Sequence, residues 1–276
     1  MVTVDWATRE VEVAGHRVVV RTGPVVAGST PLVHVHGFAI SGRCMLPTAA
    51  ALAGRATTVV PDLPGHGLSP AARPPLTIPR LAEALLGTLD ALELDRVVLV
   101  GNSLGGPVSL EAAHAAPGRV ERIVLASPAG GAHNQPFARA VVQLARDALR
   151  ESPRMARVAV PDYLHYGPVA TVRAFHELVH VPSLERLLGT PVPTLAVLGS
   201  RDPLMPPPWR AREVAHLAPP HLTVVLVRGA AHAMNFSHPG ELAHVVGCWL
   251  DDREITDDPG SPGETRVLQR ARDVSR

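Results

Sequence analysis

The chain contains no lysine: all 26 of its basic residues are arginine, set against 25 acidic residues for a formal net charge of +1. Alanine, proline and arginine are abundant throughout, so the missing lysine reads as a coding preference and carries no functional meaning. The balance of signs removes the electrostatic footprint that nucleic-acid binding requires, and the expected partner is a small molecule. No stretch reaches about 18 uninterrupted apolar residues, so no membrane span is expected. The opening MVTVDWATREVEV has no basic segment followed by an apolar one, which predicts no signal peptide and a cytoplasmic location. Cysteine is scarce: Cys44 and Cys248 stand far apart without metal-ligand spacing, and the expectation is two reduced structural thiols. What the chain does have is length and apolar content. Its 276 residues, 46% of them apolar, suffice for one large core, read as a single α/β domain with a small insertion.

Residues 10 to 22 alternate around Ala14-Gly15-His16 and predict an opening β-hairpin. Short apolar runs follow at 32 to 36, 57 to 61, 96 to 101, 120 to 126, 194 to 199 and 222 to 227. Helix-like segments stand near 43 to 54, 77 to 92, 104 to 116, 208 to 218 and 240 to 250. Such alternation predicts a mainly parallel sheet, eight-stranded if the hairpin is included, covered by helices on both faces. The rhythm breaks once, between the runs ending near 126 and starting near 194, where the chain is too long for a simple crossover. The expected organisation is a core of residues 1–128 and 190–255, a helical cap insertion at 129–189 and a flexible, solvated tail at 256–276. Ligands of open α/β sheets sit beyond the carboxyl ends of the strands, so an insertion leaving from such an end would cover the site.

Directly after the run at 96 to 101 comes Gly101-Asn102-Ser103-Leu104-Gly105-Gly106, followed at once by a helix-like run. This is G-x-S-x-G in a strand-turn-helix setting, where glycines let strand and helix approach while the serine projects from a tight turn. The bare pattern arises by chance about once per ten chains of this length, so its context carries the inference. A serine hydroxyl needs a base, and the base needs a third group to fix its tautomer. Gly199-Ser200-Arg201-Asp202-Pro203 and Gly229-Ala230-Ala231-His232 each follow an apolar run. Ser103, Asp202 and His232 are therefore the candidate nucleophile, orienter and base, with His238, before Pro239, the nearest competitor. Two amide donors for a tetrahedral oxyanion are expected at Phe38, after His36-Gly37, and at Leu104.

The His36-Gly37-Phe38 turn, the Pro61-Asp62-Leu63-Pro64-Gly65-His66-Gly67-Leu68-Ser69 loop, the elbow at 101 to 106 and the Asp202 and His232 turns together resemble the α/β-hydrolase superfamily over residues 15 to 250. In style the chain is similar to capped serine esterases and to carbon-carbon bond hydrolases of vinylogous diketone acids, which also favour Gly-Asn-Ser at the elbow. Ser103 separates it from haloalkane dehalogenases and epoxide hydrolases, which carry aspartate there. The resemblance implies a bracing role for Asp62 and His66 and an orienting role for His36. His34 is expected to be a core histidine with a backbone partner. Pocket walls are expected from Phe38, Leu104, His36, Asn102, Tyr163, Tyr166, Phe175, Met205 and Met234. The implied chemistry is acyl transfer from a small ester to water, requiring no cofactor and no metal. Carbon-carbon bond hydrolysis, acyl or peroxide transfer, and a ligand sensor without turnover are the alternatives.

Overall fold

A computed structural model describes residues 4–207, 209 and 219–271 of the chain. Its strands are Ala7–Val13 (β1), His16–Thr22 (β2), Leu32–Val35 (β3), Thr58–Asp62 (β4), Val97–Asn102 (β5), Val120–Ala126 (β6), Thr194–Gly199 (β7), Leu222–Val227 (β8) and Thr265–Gln269 (β9). They form one sheet in the order β1-β2-β4-β3-β5-β6-β7-β8-β9. The middle, β4-β3-β5-β6-β7-β8, is parallel, whereas β1, β2 and β9 pair antiparallel at the two ends.

β9 corrects the expected eight strands and the expected flexible tail. It pairs Val225 with Val267 and Val227 with Thr265, within residues 256–276. Its sequence, Thr-Arg-Val-Leu-Gln, is too short and too polar to announce a strand beside the Asp-Pro-Gly turn before it, and only the waiting edge of β8 gives it partners. Elsewhere each predicted run became a strand within a residue or two, because a sheet covered on both faces demands unbroken apolar runs.

Helices Leu46–Leu52 (α1), Ile78–Ala91 (α2), Gly105–Ala115 (α3), Phe137–Ala148 (α4), Ala156–Tyr166 (α5), Pro168–His180 (α6), Ser183–Gly189 (α7), Met234–Ser237 (α8) and Pro239–Leu250 (α9) accompany the sheet. The helix expected at 208–218 lies, except for Trp209, outside the described residues. Side chains alternate across β5, so the run Val97-Val98-Leu99-Val100 feeds two cores at once. Val97 and Leu99 join Leu85 and Leu89 of α2 and Val108 of α3 in one buried layer. Val98 and Val100 join Leu52 of α1 and Leu242 and Val246 of α9 in the other. Between β6 and β7, where the sequence lost its rhythm, stand α4 to α7. Among the described residues no helix is long and apolar enough to cross a membrane.

Candidate active site

The turn between β5 and α3 holds Ser103 at φ +54°, a conformation an L-residue adopts only under constraint. Its N–H donates to the Ala126 carbonyl at the end of β6 (3.2 Å), and its own carbonyl accepts from Gly106 N (3.0 Å) and Ala129 N (3.2 Å). The flanking glycines make this turn possible. A Cβ at Gly105 would run into the Val35 carbonyl at the end of β3, and one at Gly101 into the backbone of Gly105. Ser103 itself is nearly enclosed, at 7% exposure.

β7 and β8 are parallel neighbours, with Gly199 paired to Val227, so their following loops leave the same sheet edge. There Asp202 accepts the Nδ1–H of His232 through Oδ2 at 2.8 Å, while its Oδ1 accepts Leu204 N at 2.8 Å. In the neutral imidazole the bond fixes the proton on Nδ1 and leaves Nε2 as the acceptor nitrogen. The His232 turn is also sewn to the elbow, since Asn102 Nδ2 donates to the carbonyls of His232 (3.1 Å) and Ala126 (3.0 Å). Among the described residues no hydrogen bond joins Ser103 Oγ to His232. Such contacts are commonly loose before substrate arrives. Burial of His232 favours its neutral form, but Asp202, and behind it Asp147 and Glu151, outweigh that effect and raise its pKa to about 9. The competitor His238 instead bonds Ser237 Oγ at 2.9 Å where α9 begins.

Gly37 faces the serine so closely that a Cβ there would lie 3.3 Å from Ser103 Cβ. His36 fixes this approach: its Nε2 accepts Leu63 N–H at 2.9 Å, so Nδ1 carries the proton and donates to Gly37 O at 2.8 Å. The amides of Phe38 and Leu104 donate to no protein acceptor among the described residues. The Phe38 ring packs against Phe175 (5.5 Å between centroids), Tyr163 and Tyr166 (both 6.0 Å). Met205 is buried beside Asp202 in a groove of about 440 Å³ that Arg139, Arg146 and Arg150 also line. Met234, by contrast, is wholly enclosed in the core shared with α1 and α9, so it offers no surface to a ligand. His34 is a core histidine, but among the described residues the expected backbone partner is absent: both ring nitrogens are buried without one, and burial lowers its pKa to about 3.

Asp62 sits between two arms of this edge. It holds Arg21 bidentately (2.9 and 3.2 Å) and accepts Gly42 N (2.7 Å) and Leu68 N (2.9 Å). Burial alone would raise its pKa, but the guanidinium more than offsets this and holds it below the usual carboxylate range. Three other buried or part-buried carboxylates escaped sequence reasoning, and all lie between β6 and β7. Asp162 accepts Ser41 N (2.7 Å) and Oγ (2.6 Å), Asp147 accepts His232 N (3.2 Å), and Glu151 accepts Ala233 N (2.6 Å). One signal was available. Asp147 falls on the stripe of α4 that buries Ala140 and Gln143, and Asp162 on the stripe of α5 that buries Val158, where an acid is out of place unless it has a partner.

A second groove, of about 500 Å³, runs between the Gly65–Pro75 loop and the start of α6, with Arg73, Arg173 and Tyr166 in its wall. Tyr166 also packs on His66 at 4.7 Å. Among the described residues no group of three His, Cys, Asp or Glu side chains is arranged to hold a metal ion.

Residues 32–245 match the model of the alpha/beta hydrolase family, a span that begins at β3 and includes the Ser103, Asp202 and His232 turns. The chain belongs to that family. This α/β hydrolase is 30% identical over 205 residues to an uncharacterized protein of Mycobacterium tuberculosis, covering 72% of this chain and 59% of the relative. It thus spans about three fifths of that relative's length. A Pseudomonas syringae protein provisionally named a carbamate hydrolase is 29% identical over 237 residues, 77% of this chain and 90% of the relative. Among solved structures, a bacterial membrane phospholipase A superposes with a TM-score of 0.76 at 21% identity, covering 90% of this chain and 86% of that one, a likeness of fold.

Proposed function

We propose that this α/β hydrolase cleaves a small carboxylic ester, or a related acyl compound, through an acyl-enzyme on Ser103, with His232 as base and Asp202 as the group that orients it. One observation carries the reading: the 2.8 Å Asp202–His232 hydrogen bond stands at the same sheet edge as the strained Ser103, with Asn102 tying the two turns together. A serine, a tautomer-fixed imidazole and a buried carboxylate are what acyl transfer through a serine needs.

In the proposed cycle Ser103 Oγ attacks the carbonyl carbon as its proton passes to His232 Nε2. The resulting oxyanion is held by the amides of Phe38 and Leu104, which have no protein acceptor among the described residues. Collapse expels the alcohol with the proton from His232, leaving an ester on Ser103. Water, deprotonated by the same nitrogen, then attacks that ester, and the acid departs. The steps use no cofactor. Helices α4 to α7 act as a cap, with Tyr163, Tyr166 and Phe175 forming an apolar wall around Phe38 for the acyl group. That carbonyl compounds are the substrates is in keeping with the relative named for carbamate hydrolysis.

The test is intact-mass analysis after treatment with a fluorophosphonate, followed by a panel of p-nitrophenyl esters of increasing chain length. The wild type is expected to gain one adduct and Ser103→Ala none. An adduct that persists in Ser103→Ala overturns the reading. Labelling without turnover of any ester would favour the carbon-carbon bond class, whose hydrolases use the same three side chains, or a ligand sensor without turnover.

A further inference from the structure

Two carboxylates four residues apart at the end of α4 reach the same turn from above. Asp147 Oδ1 accepts the N–H of His232 at 3.2 Å, and Glu151 Oε1 accepts the N–H of the next residue, Ala233, at 2.6 Å. Asp147 is 5% exposed, and the second oxygen of Glu151 is buried without a partner among the described residues. No arginine pairs with either side chain among the described residues.

This is an expensive way to hold two amides. An asparagine and a glutamine would satisfy the same N–H groups without placing two further acids beside Asp202, where like charges in a poorly solvated site oppose one another. What the acids supply and the amides would not is negative charge beside the imidazole. We propose that Asp147 and Glu151 are positioning residues for the base: they fix the His232 turn from the inserted segment and set two further acids beside Asp202, so that the turn favours the imidazolium. The inference rests on the reading of His232 as the base given above.

The groups facing the imidazole can be named element by element. Asp202 comes from the loop after β7, Asp147 from α4 and Glu151 from the turn after α4, while Asn102 at the end of β5 is neutral and meets His232 at its backbone carbonyl. Burial pushes the phenol of Tyr163 in α5 up to about 12, and the charge of Asp147 adds to this. Burial raises the carboxyl of Asp147 above its ordinary value, even though His232 opposes this. The arrangement also makes base strength depend on α4 being seated: lifting it away would remove two anions and the two amide bonds together.

The experiment measures kcat/KM for a p-nitrophenyl ester against pH in wild type, Asp147→Asn, Glu151→Gln and Asp147→Glu. Parallel NMR titration of labelled histidine in a Ser103→Ala background reads His232 without needing turnover. Asp147→Asn keeps the acceptor oxygen and loses the charge, so the acidic limb and the His232 midpoint should both fall by about one pH unit. Glu151→Gln should shift them the same way by less, and Asp147→Glu should restore the wild-type midpoint. A purely structural role would lower activity at every pH and leave both midpoints in place, and that result overturns the inference. Should Asp147→Asn fail to fold, the Glu151→Gln midpoint decides by itself. Loss of the fluorophosphonate adduct in Ser103→Ala together with unmoved midpoints would sink this inference alone, whereas persistence of the adduct would sink the underlying assignment.

Discussion

Ser103 and its neighbours show how few side chains a tight turn tolerates. Gly105 is hemmed in by the carbonyls of Val35 and His36, backbone atoms that cannot swing aside as a flexible side chain would. Gly105→Ala must therefore push α3 away from β3, and we expect a loss of about 1–3 kcal/mol in urea unfolding together with loss of fluorophosphonate labelling. Asp202→Asn tests the other end of the constellation. An amide in place of the carboxylate offers the wrong partner to Nδ1–H and stabilises the imidazolium less, so kcat on esters should drop by on the order of 10³ or more while KM changes little. A turnover number close to wild type would mean that another acid supports His232. The three residues proposed to carry the chemistry were legible because each stands in a turn that follows an apolar run. Asp147 and Glu151 were not, because an Asp and a Glu in a helical stretch look like solvated surface until the fold lays that helix over a histidine turn.

At the level of elements, the sheet edge is braced from the side by β2. Arg21 on that strand and Asp62 at the end of β4 form a buried ion pair whose carboxylate also gathers the amides of Gly42 and Leu68. Removing the cation strands an anion in the core, so Arg21→Ala should cost about 3–5 kcal/mol at pH 7 in denaturant unfolding. The pH dependence has a definite sign. Because the folded pKa of Asp62 lies below the unfolded value of 3.8, its contribution is present above that value and disappears as pH falls through the lower folded one. The gap between wild type and Arg21→Ala should accordingly close in strong acid, and a gap independent of pH would contradict this account. The sequence motif around Asp62 and His66 pointed to a brace but could not reveal the arginine, since Arg21 lies 41 residues earlier and meets it only through the antiparallel pairing of β2 with β4.

For the whole molecule, the far edge of the sheet matters to the site because β8 leads directly into the His232 turn. β9 covers that strand, with Ala271 N reaching Thr223 Oγ1 at 3.1 Å and Thr265 N reaching Asp257 Oδ1 at 2.8 Å. A variant ending before Asp257 uncovers the β8 edge, and we expect a Tm lower by several degrees and more aggregation on warming, both readable by calorimetry and light scattering. An unchanged Tm would make β9 energetically idle. By itself the sequence determined the alternation of strands and helices, the buried runs and the places where a serine, an aspartate and a histidine must leave the sheet. It could do so because buried parallel strands and nucleophile turns impose local patterns that survive without any knowledge of partners. Tertiary structure alone decided the rest: the ninth strand, the Arg21–Asp62 pair, the missing partner of His34 and the acids that α4 lowers onto the His232 turn. Each depends on contacts between segments tens of residues or more apart, and the energy of such a contact exists only once both segments are already in place.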